Sequence, residues 1–444
     1  MASYVAETRR TLVLAAPIIV GQVSQMLMGV TDSVMIGRLG KVPLAASAFA
    51  NAVWGMAFMV GIGLLIPVAV LVSRAHGGGK DRDAAEWLRH GMALAVGIGA
   101  LTMAALFVLA GELDRFGQRP DVVAAIRPYF DLIAASMIPT LVFQAFRQFG
   151  ESLGRAWVPM GIMLAGVGLN VVLNWIFIYG NLGMPALGLA GAGWATLISR
   201  ALGVGVIWLW LRGSAEIRPA WPTRWLARFE TARFREMFAF GVPAAGSLMF
   251  ESGAFTAAAL MMGWISATAL AAHQIAISCA AFTFMFPLGL SMALSMRIGR
   301  AVGEGRQEAL RAIGFGAQGL SAIVMGVFAL VFVLAGPQLA RGFVDDPAVI
   351  ALAAQLLVVA ALFQLGDGAQ IVAAGALRGL ADVKVPTVIT CVAYWGMALP
   401  GGYFLGVKGP LGPLGVWISL AVGLSVAAVL LNLRFAKRTR GLGA

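Results

Sequence analysis

Long apolar runs broken by short polar stretches recur twelve times along the chain. A bilayer core takes about 20 mostly apolar residues per helix. Windows of that kind fall near 11–36, 46–73, 88–111, 124–149, 157–180, 188–211, 236–264, 269–296, 312–336, 348–376, 385–406 and 412–434. The pattern predicts an all-α integral membrane protein with twelve transmembrane helices. The first run follows basic residues, as a signal peptide would. It is too long for one, carries Gln22 and Gln25, and leads into further spans, so it reads as a retained first helix.

The longest polar connection, "RGSAEIRPAWPTRWLARFETARFRE", divides the spans six and six. The expected organisation is therefore a six-helix bundle over 1–211, a cytoplasmic linker over 212–235 and a second six-helix bundle over 236–444. Trp221, Trp225 and Phe229 recur among arginines at nearly helical spacing, which predicts an amphipathic piece lying at the membrane interface. The halves repeat. "VSRAHGGGKDR" at 72–82 aligns with "IGRAVGEGRQE" at 298–308, and the same offset pairs Pro17 with Pro243. "SLGRAWVP" at 152–159 meets "GLADVKVP" at 379–386. An even number of spans per half puts the two copies in the same orientation, the parallel pseudo-symmetry of transporters that bind between repeats and alternate access.

Composition agrees with the pattern: 60% of residues are hydrophobic and 12% charged, against roughly half and a quarter in soluble domains. The net charge of +12 would raise nucleic acid as a partner if the basic residues shared one face. They segregate by loop instead. With the N-terminus inside, twenty-four of the 32 Lys and Arg residues collect on inner segments. Seven fall outside, namely Arg38, Lys41, Arg115, Arg119, Arg127, Arg341 and Lys408, and Arg200 stays within a span. This bias predicts cytoplasmic termini and removes the need for a nucleic-acid partner. Cys279 and Cys391 make no metal-ligand spacing, and the three histidines build no catalytic constellation, so an enzyme is not expected.

Three spans hold a carboxylate: Asp32 in the first, Glu251 in the seventh and Asp367 in the tenth. An ionised carboxylate at mid-span costs about 2.5–3.5 kcal/mol on insertion scales, so each needs a partner, a wet cavity or a proton. Gln22, Gln25, Gly29 and Asp32 follow at three- and four-residue steps on one helical face. Asn170 and Asn174 repeat the device at i, i+4, and Thr196 adds a hydroxyl. Their oxygens suit a small hard cation or a proton with waters; Asn and Thr also serve as plain interhelical glue. Around Asp367, Phe363 and Gln364 lie one turn earlier, and Gly375 and Gly379 later let a partner backbone approach. The eighth span contributes His273 and Phe284.

These residues carry a resemblance. "APIIVGQVSQMLMGVTDSVMIGRLG", "GVPAAGSLMFES", "AAHQIA" and "LFQLGDGAQIVAAGALRGLADVKVP" are similar to the multidrug and toxic compound extrusion (MATE) family, in its bacterial NorM-like branch, over essentially the entire chain. The resemblance implies a V-shaped pair of bundles in the bacterial inner membrane, a monomer surrounded by lipid that exports cationic, amphipathic drugs or toxins in exchange for Na⁺ or H⁺, with no cofactor. It assigns Glu251 and Asp367 to the coupling-ion site, and Asp32, Asn170, Asn174 and Thr196 to a polar cluster of the first half. Gln22, Gln25, Phe284, Phe363 and Gln364 become cavity-lining candidates. Phe363 stands where some sodium-coupled relatives carry a tyrosine, which removes one oxygen ligand. The rival within the superfamily is a flippase of lipid-linked precursors, for which a basic, anion-receiving cavity is expected.

Overall fold

The computed structural model describes residues 2–116 and 120–440; Arg119, counted above among the outer basic residues, lies outside them. Among the described residues, twelve helices are long and apolar enough to cross a membrane. In chain order they are Tyr4–Gly37, Lys41–Gly77, Asp81–Gly111, Asp121–Ser152, Trp157–Tyr179, Leu189–Gly213, Thr231–Ile265, Ala267–Gly303, Gln307–Arg341, Pro347–Gly379, Lys384–Val407 and Gly412–Arg438, called here helices 1 to 12. The expected windows fall inside them to within a residue. Most helices run further, because apolar character marks where lipid is, whereas backbone hydrogen bonds continue through polar turns. The chain is a multi-pass membrane protein.

Local chemistry sets several ends and bends. Asp346 caps helix 10, accepting from the backbone N–H of Ala348 at 2.8 Å, with Pro347 in the first turn. Ser266 does the same for helix 8 through Ala269 N–H at 3.0 Å. Helix 4 breaks at Ser136, between α-helical segments ending at Ala135 and starting at Met137. Pro139 explains this, since its ring and missing N–H disturb the carbonyl four residues back. In helix 11 the turn widens to π geometry over Val392–Ala398 and Tyr403–Val407, on either side of Leu399–Gly402 and its Pro400.

The helices form two compact units. One comprises Val20–Ala245, the other Met1–Ile19 with Gly246–Ala444. The boundaries thus run inside helices 1 and 7, two residues past Pro17 and Pro243. In the first unit, helices 2, 3, 4 and 6 share a core around Leu65, Val68, Phe130, Met137 and Phe149. In the second, helix 10 packs along helices 8, 9 and 12. Gly375 makes that approach feasible: a Cβ there would sit 2.6 Å from the Ser291 carbonyl oxygen of helix 8. The same unit holds the start of helix 1 by a buried Glu7. Its carboxylate accepts from Arg297 and, at 2.8 Å, from Arg306.

The linker differs from expectation. Instead of an interfacial helix it runs as turns with one short 3₁₀ segment, Arg218–Ala220, because Pro219 and Pro222 deny it continuous helical bonding. Its tryptophans turn to protein rather than lipid, with Trp221 stacked 6.1 Å from Phe146 of helix 4 and Trp225 edge-on to Trp221 at 5.3 Å. Helix 3 holds the remainder: Arg89 donates to the carbonyls of Ala227 and Arg228, and Glu230 N–H donates to His90 Nε2 at 3.0 Å. The linker is thereby part of the Val20–Ala245 unit.

Candidate functional site

In the Val20–Ala245 unit four sequence-flagged residues join in one chain of hydrogen bonds. Asn174 Nδ2 donates to Asp32 Oδ1 at 2.6 Å and to Asn170 Oδ1 at 3.1 Å, and Asn170 Nδ2 reaches Thr196 Oγ1 at 3.5 Å. Helix 5 positions both amides by placing them one turn apart, fully buried. Asn174 Oδ1 has no partner, so the cluster retains acceptor capacity beyond what the protein uses.

Asp32 also borders a cavity of about 450 Å³, together with Gln25, Trp54, Phe58, Thr140 and Arg200. Arg200, from helix 6, is held by the break in helix 4: its Nη1 donates to Ser136 Oγ at 2.6 Å. Its guanidinium lies 4.3 Å above the ring of Trp54, which stacks on Phe58 at 4.8 Å. A carboxylate and a guanidinium thus line one hollow beside aromatic faces. Gln22 has another job. It accepts from Arg147 Nη2 at 3.0 Å, supporting the buried pair in which Arg147 Nε donates to Glu151 at 2.7 Å.

In the second unit Glu251 and Asp367 are both buried, and each lies in the other's field. Asp367 Oδ1 has no hydrogen-bond partner. Nearby, Tyr394 donates to Gln370 Oε1 at 2.9 Å from the π-wound part of helix 11. Arg378 also feels Glu251; its Nη2 donates to Ser291 Oγ at 2.6 Å while its Nε finds no acceptor. Phe363 is packed between Phe255 and Trp417, with centroids 5.8 and 5.5 Å away. Gln364 is likewise enclosed, accepting from Thr283 Oγ1 at 2.9 Å. Phe284 is half-buried on helix 8. His273 is a core residue whose Nδ1 accepts from the Trp417 indole at 3.2 Å, which puts its proton on Nε2.

Two carboxylates with an unpartnered oxygen fit a proton or a hard monovalent cation, whose charge offsets the repulsion of two buried acids. No set of three His, Cys, Asp or Glu side chains comes together among the described residues, so the donors do not suit a resident transition metal. Sequence reasoning overlooked Tyr394, Arg378 and the binding contacts of Arg200. Arg200 gave a signal as a basic residue near the middle of a predicted span. Tyr394 gave none.

Comparison with known proteins agrees with this layout. The family model MatE matches residues 17–176 and 243–404, one segment in each half of the chain. The chain belongs to the MatE family. Among its curated relatives, the probable multidrug resistance protein NorM of Mesorhizobium japonicum is 37% identical, over 98% of this chain and 94% of that one. The multidrug resistance protein PmpM of Pseudomonas aeruginosa is 35% identical over 98% and 92%. Solved MATE structures share the fold: a Vibrio cholerae MATE transporter superposes with a TM-score of 0.92 at 22% identity, covering 100% of each chain. A transporter from Pyrococcus furiosus gives 0.91 at 21% identity, over 99% and 97%. All twelve helices of this MatE protein therefore follow a transporter fold.

Proposed function

We propose that this chain is a secondary antiporter of the bacterial inner membrane that exports cationic, amphipathic compounds in exchange for H⁺ or Na⁺. In this reading the halves 1–211 and 236–444, joined by 212–235, alternate access, and both termini are cytoplasmic. The observation that carries it is the pair of buried acids, Glu251 and Asp367, one oxygen of which has no partner. The two acids share one nearby cation, Arg378, and a charge left over is expensive inside a membrane, so a mobile positive species is part of the working cycle.

The mechanism follows from charge and state. Ionised carboxylates attract a lipophilic cation; arrival of a proton or Na⁺ neutralises them and weakens the drug complex. A ligand shifts a conformational equilibrium only by its differential affinity for the two states. Competition for shared negative charge therefore ties the two fluxes together. The names of the curated relatives, multidrug resistance proteins, support the substrate class. With Asp32 beside Arg200 on its wall, the first-unit cavity departs from the basic, anion-receiving cavity that the flippase reading expects.

The test is transport in proteoliposomes under independently imposed pH and sodium gradients, with ethidium as the cation. Uptake driven by one of the gradients is expected, abolished in Glu251→Gln and in Asp367→Asn. Gradient-independent uptake, or full activity of both variants, would refute antiport at these acids.

A further inference from the structure

Beyond the acid pair, helix 10 carries a fixed positive charge that the competition of drug and ion does not use. Asp367, Gln370, Ala374 and Arg378 follow at three- and four-residue steps, so Arg378 lies on the Asp367 face of the helix. At 1.5 Å per residue it sits about 16 Å nearer the end proposed as cytoplasmic. Helix 8 pins it there. Arg378 Nη2 donates to Ser291 Oγ at 2.6 Å, and Gly375 and Gly379 bracket that bond. A Cβ would sit 2.6 Å from the Ser291 carbonyl oxygen at the first glycine and 2.7 Å from that of Ser295 at the second, so the two helices touch backbone to backbone around the guanidinium. Glu251 lies in the field of Arg378, but no Asp or Glu pairs directly with it among the described residues, and its buried Nε has no acceptor. A buried arginine kept for structure alone is normally closed by an acid, as Arg147 is by Glu151. Guanidinium does not lose its proton, and a fixed arginine beside an ion route is an electrostatic barrier to protons and cations.

We infer that Arg378 is an electrostatic stop inward of the acid pair, which lets a coupling cation reach Glu251 and Asp367 but bars it from running on to the cytoplasm without drug exchange. A cation drawn in by the two acids meets repulsion from Arg378 beyond them, so it crosses only when the protein changes state. The inference rests on the antiport reading and adds to it the residue that prevents uncoupled flux.

Leak without drug is the readout. Proteoliposomes receive a pH gradient or a sodium gradient with the membrane potential clamped by valinomycin and K⁺; trapped pyranine reports H⁺ entry and radioactive sodium reports Na⁺ entry. Wild type is expected to match protein-free liposomes. Arg378→Gln is expected to admit one of the two ions about tenfold faster, the scale of removing one nearby unit charge at an effective dielectric of about 20. Arg378→Lys keeps the charge and is expected to stay tight. Arg378→Met also removes the charge, and it decides the matter if Arg378→Gln does not fold. Adding Glu251→Gln to either neutral variant is expected to stop the leak, because the acid draws the ion in. A tight neutral variant, or a leak that persists without Glu251 and so marks a merely damaged helix contact, overturns the inference. Ethidium uptake is scored in the same vesicles. Gradient-driven uptake by wild type alongside tight neutral variants leaves antiport standing and removes only the stop. No gradient-driven uptake by wild type removes the antiport reading and the stop with it.

Discussion

Asn174 illustrates how much rests on single side chains here. Its amide is the donor that keeps Asp32 company, and it also holds Asn170 in place. Asn174→Leu would leave Asp32 without that bond, a loss of roughly 1–3 kcal/mol for a buried group. A melting temperature lower by several degrees is expected in a detergent thermal-shift assay, with Thr196→Val much milder because its bond is long. Arg147 and Glu151 make a sharper case. Removing one partner of a buried ion pair costs about 3–5 kcal/mol, whereas replacing both with apolar groups is often neutral. Glu151→Gln is expected to destabilise more than the double change Arg147→Met, Glu151→Leu; the opposite order in the same assay would contradict a buried, paired state.

Among the elements, helix 10 is the most constrained. Its Gly375 meets the Ser291 backbone, so Gly375→Leu forces helices 8 and 10 apart, with an expected penalty of at least about 1–3 kcal/mol. Fluorescence-detected size exclusion after a heat step would show it. The π-wound stretch of helix 11 matters differently, since it delivers Tyr394 to Gln370 one turn from Asp367. Tyr394→Phe keeps the ring and loses one hydrogen bond. Stability is expected to fall by about 1–3 kcal/mol, because the buried Gln370 Oε1 is left without its donor, while the ion dependence of transport shifts; an unchanged dependence would exclude Tyr394 from the coupling site. Helix existence was legible because lipid imposes a twenty-residue apolar signature. The π turns were not, because widening a turn leaves the hydrophobic pattern intact. The linker was misread for a related reason: tryptophans at helical spacing suggest an interfacial helix, but Pro219 and Pro222 overrule the spacing.

For the whole molecule, the duplicated halves were legible from the offsets that pair Pro17 with Pro243, and the chemistry diverges between copies. The offset that joins the Pro159 and Pro386 motifs sets Glu151 against Arg378, so one copy keeps an internal ion pair where the other places a cation in the field of Glu251. The polar cluster of Asp32, Asn170, Asn174 and Thr196 was visible as helical-face spacing. Its neighbour Arg200 was visible only as an oddity, because a pattern along the chain does not reveal which helix supplies the opposite charge.

The way the compact units divide helix 1 has a consequence for biogenesis. Glu7 meets Arg297 across 290 residues of sequence. At roughly 5–20 residues per second a ribosome takes about 15–60 s to supply that arginine. During this interval the leading segment of the nascent chain waits without its partner, exposed to proteases and insertion factors. Stalled chains ending before residue 297 are expected to be cut near the N-terminus by added trypsin at Arg9 and Arg10, and full-length chains to resist.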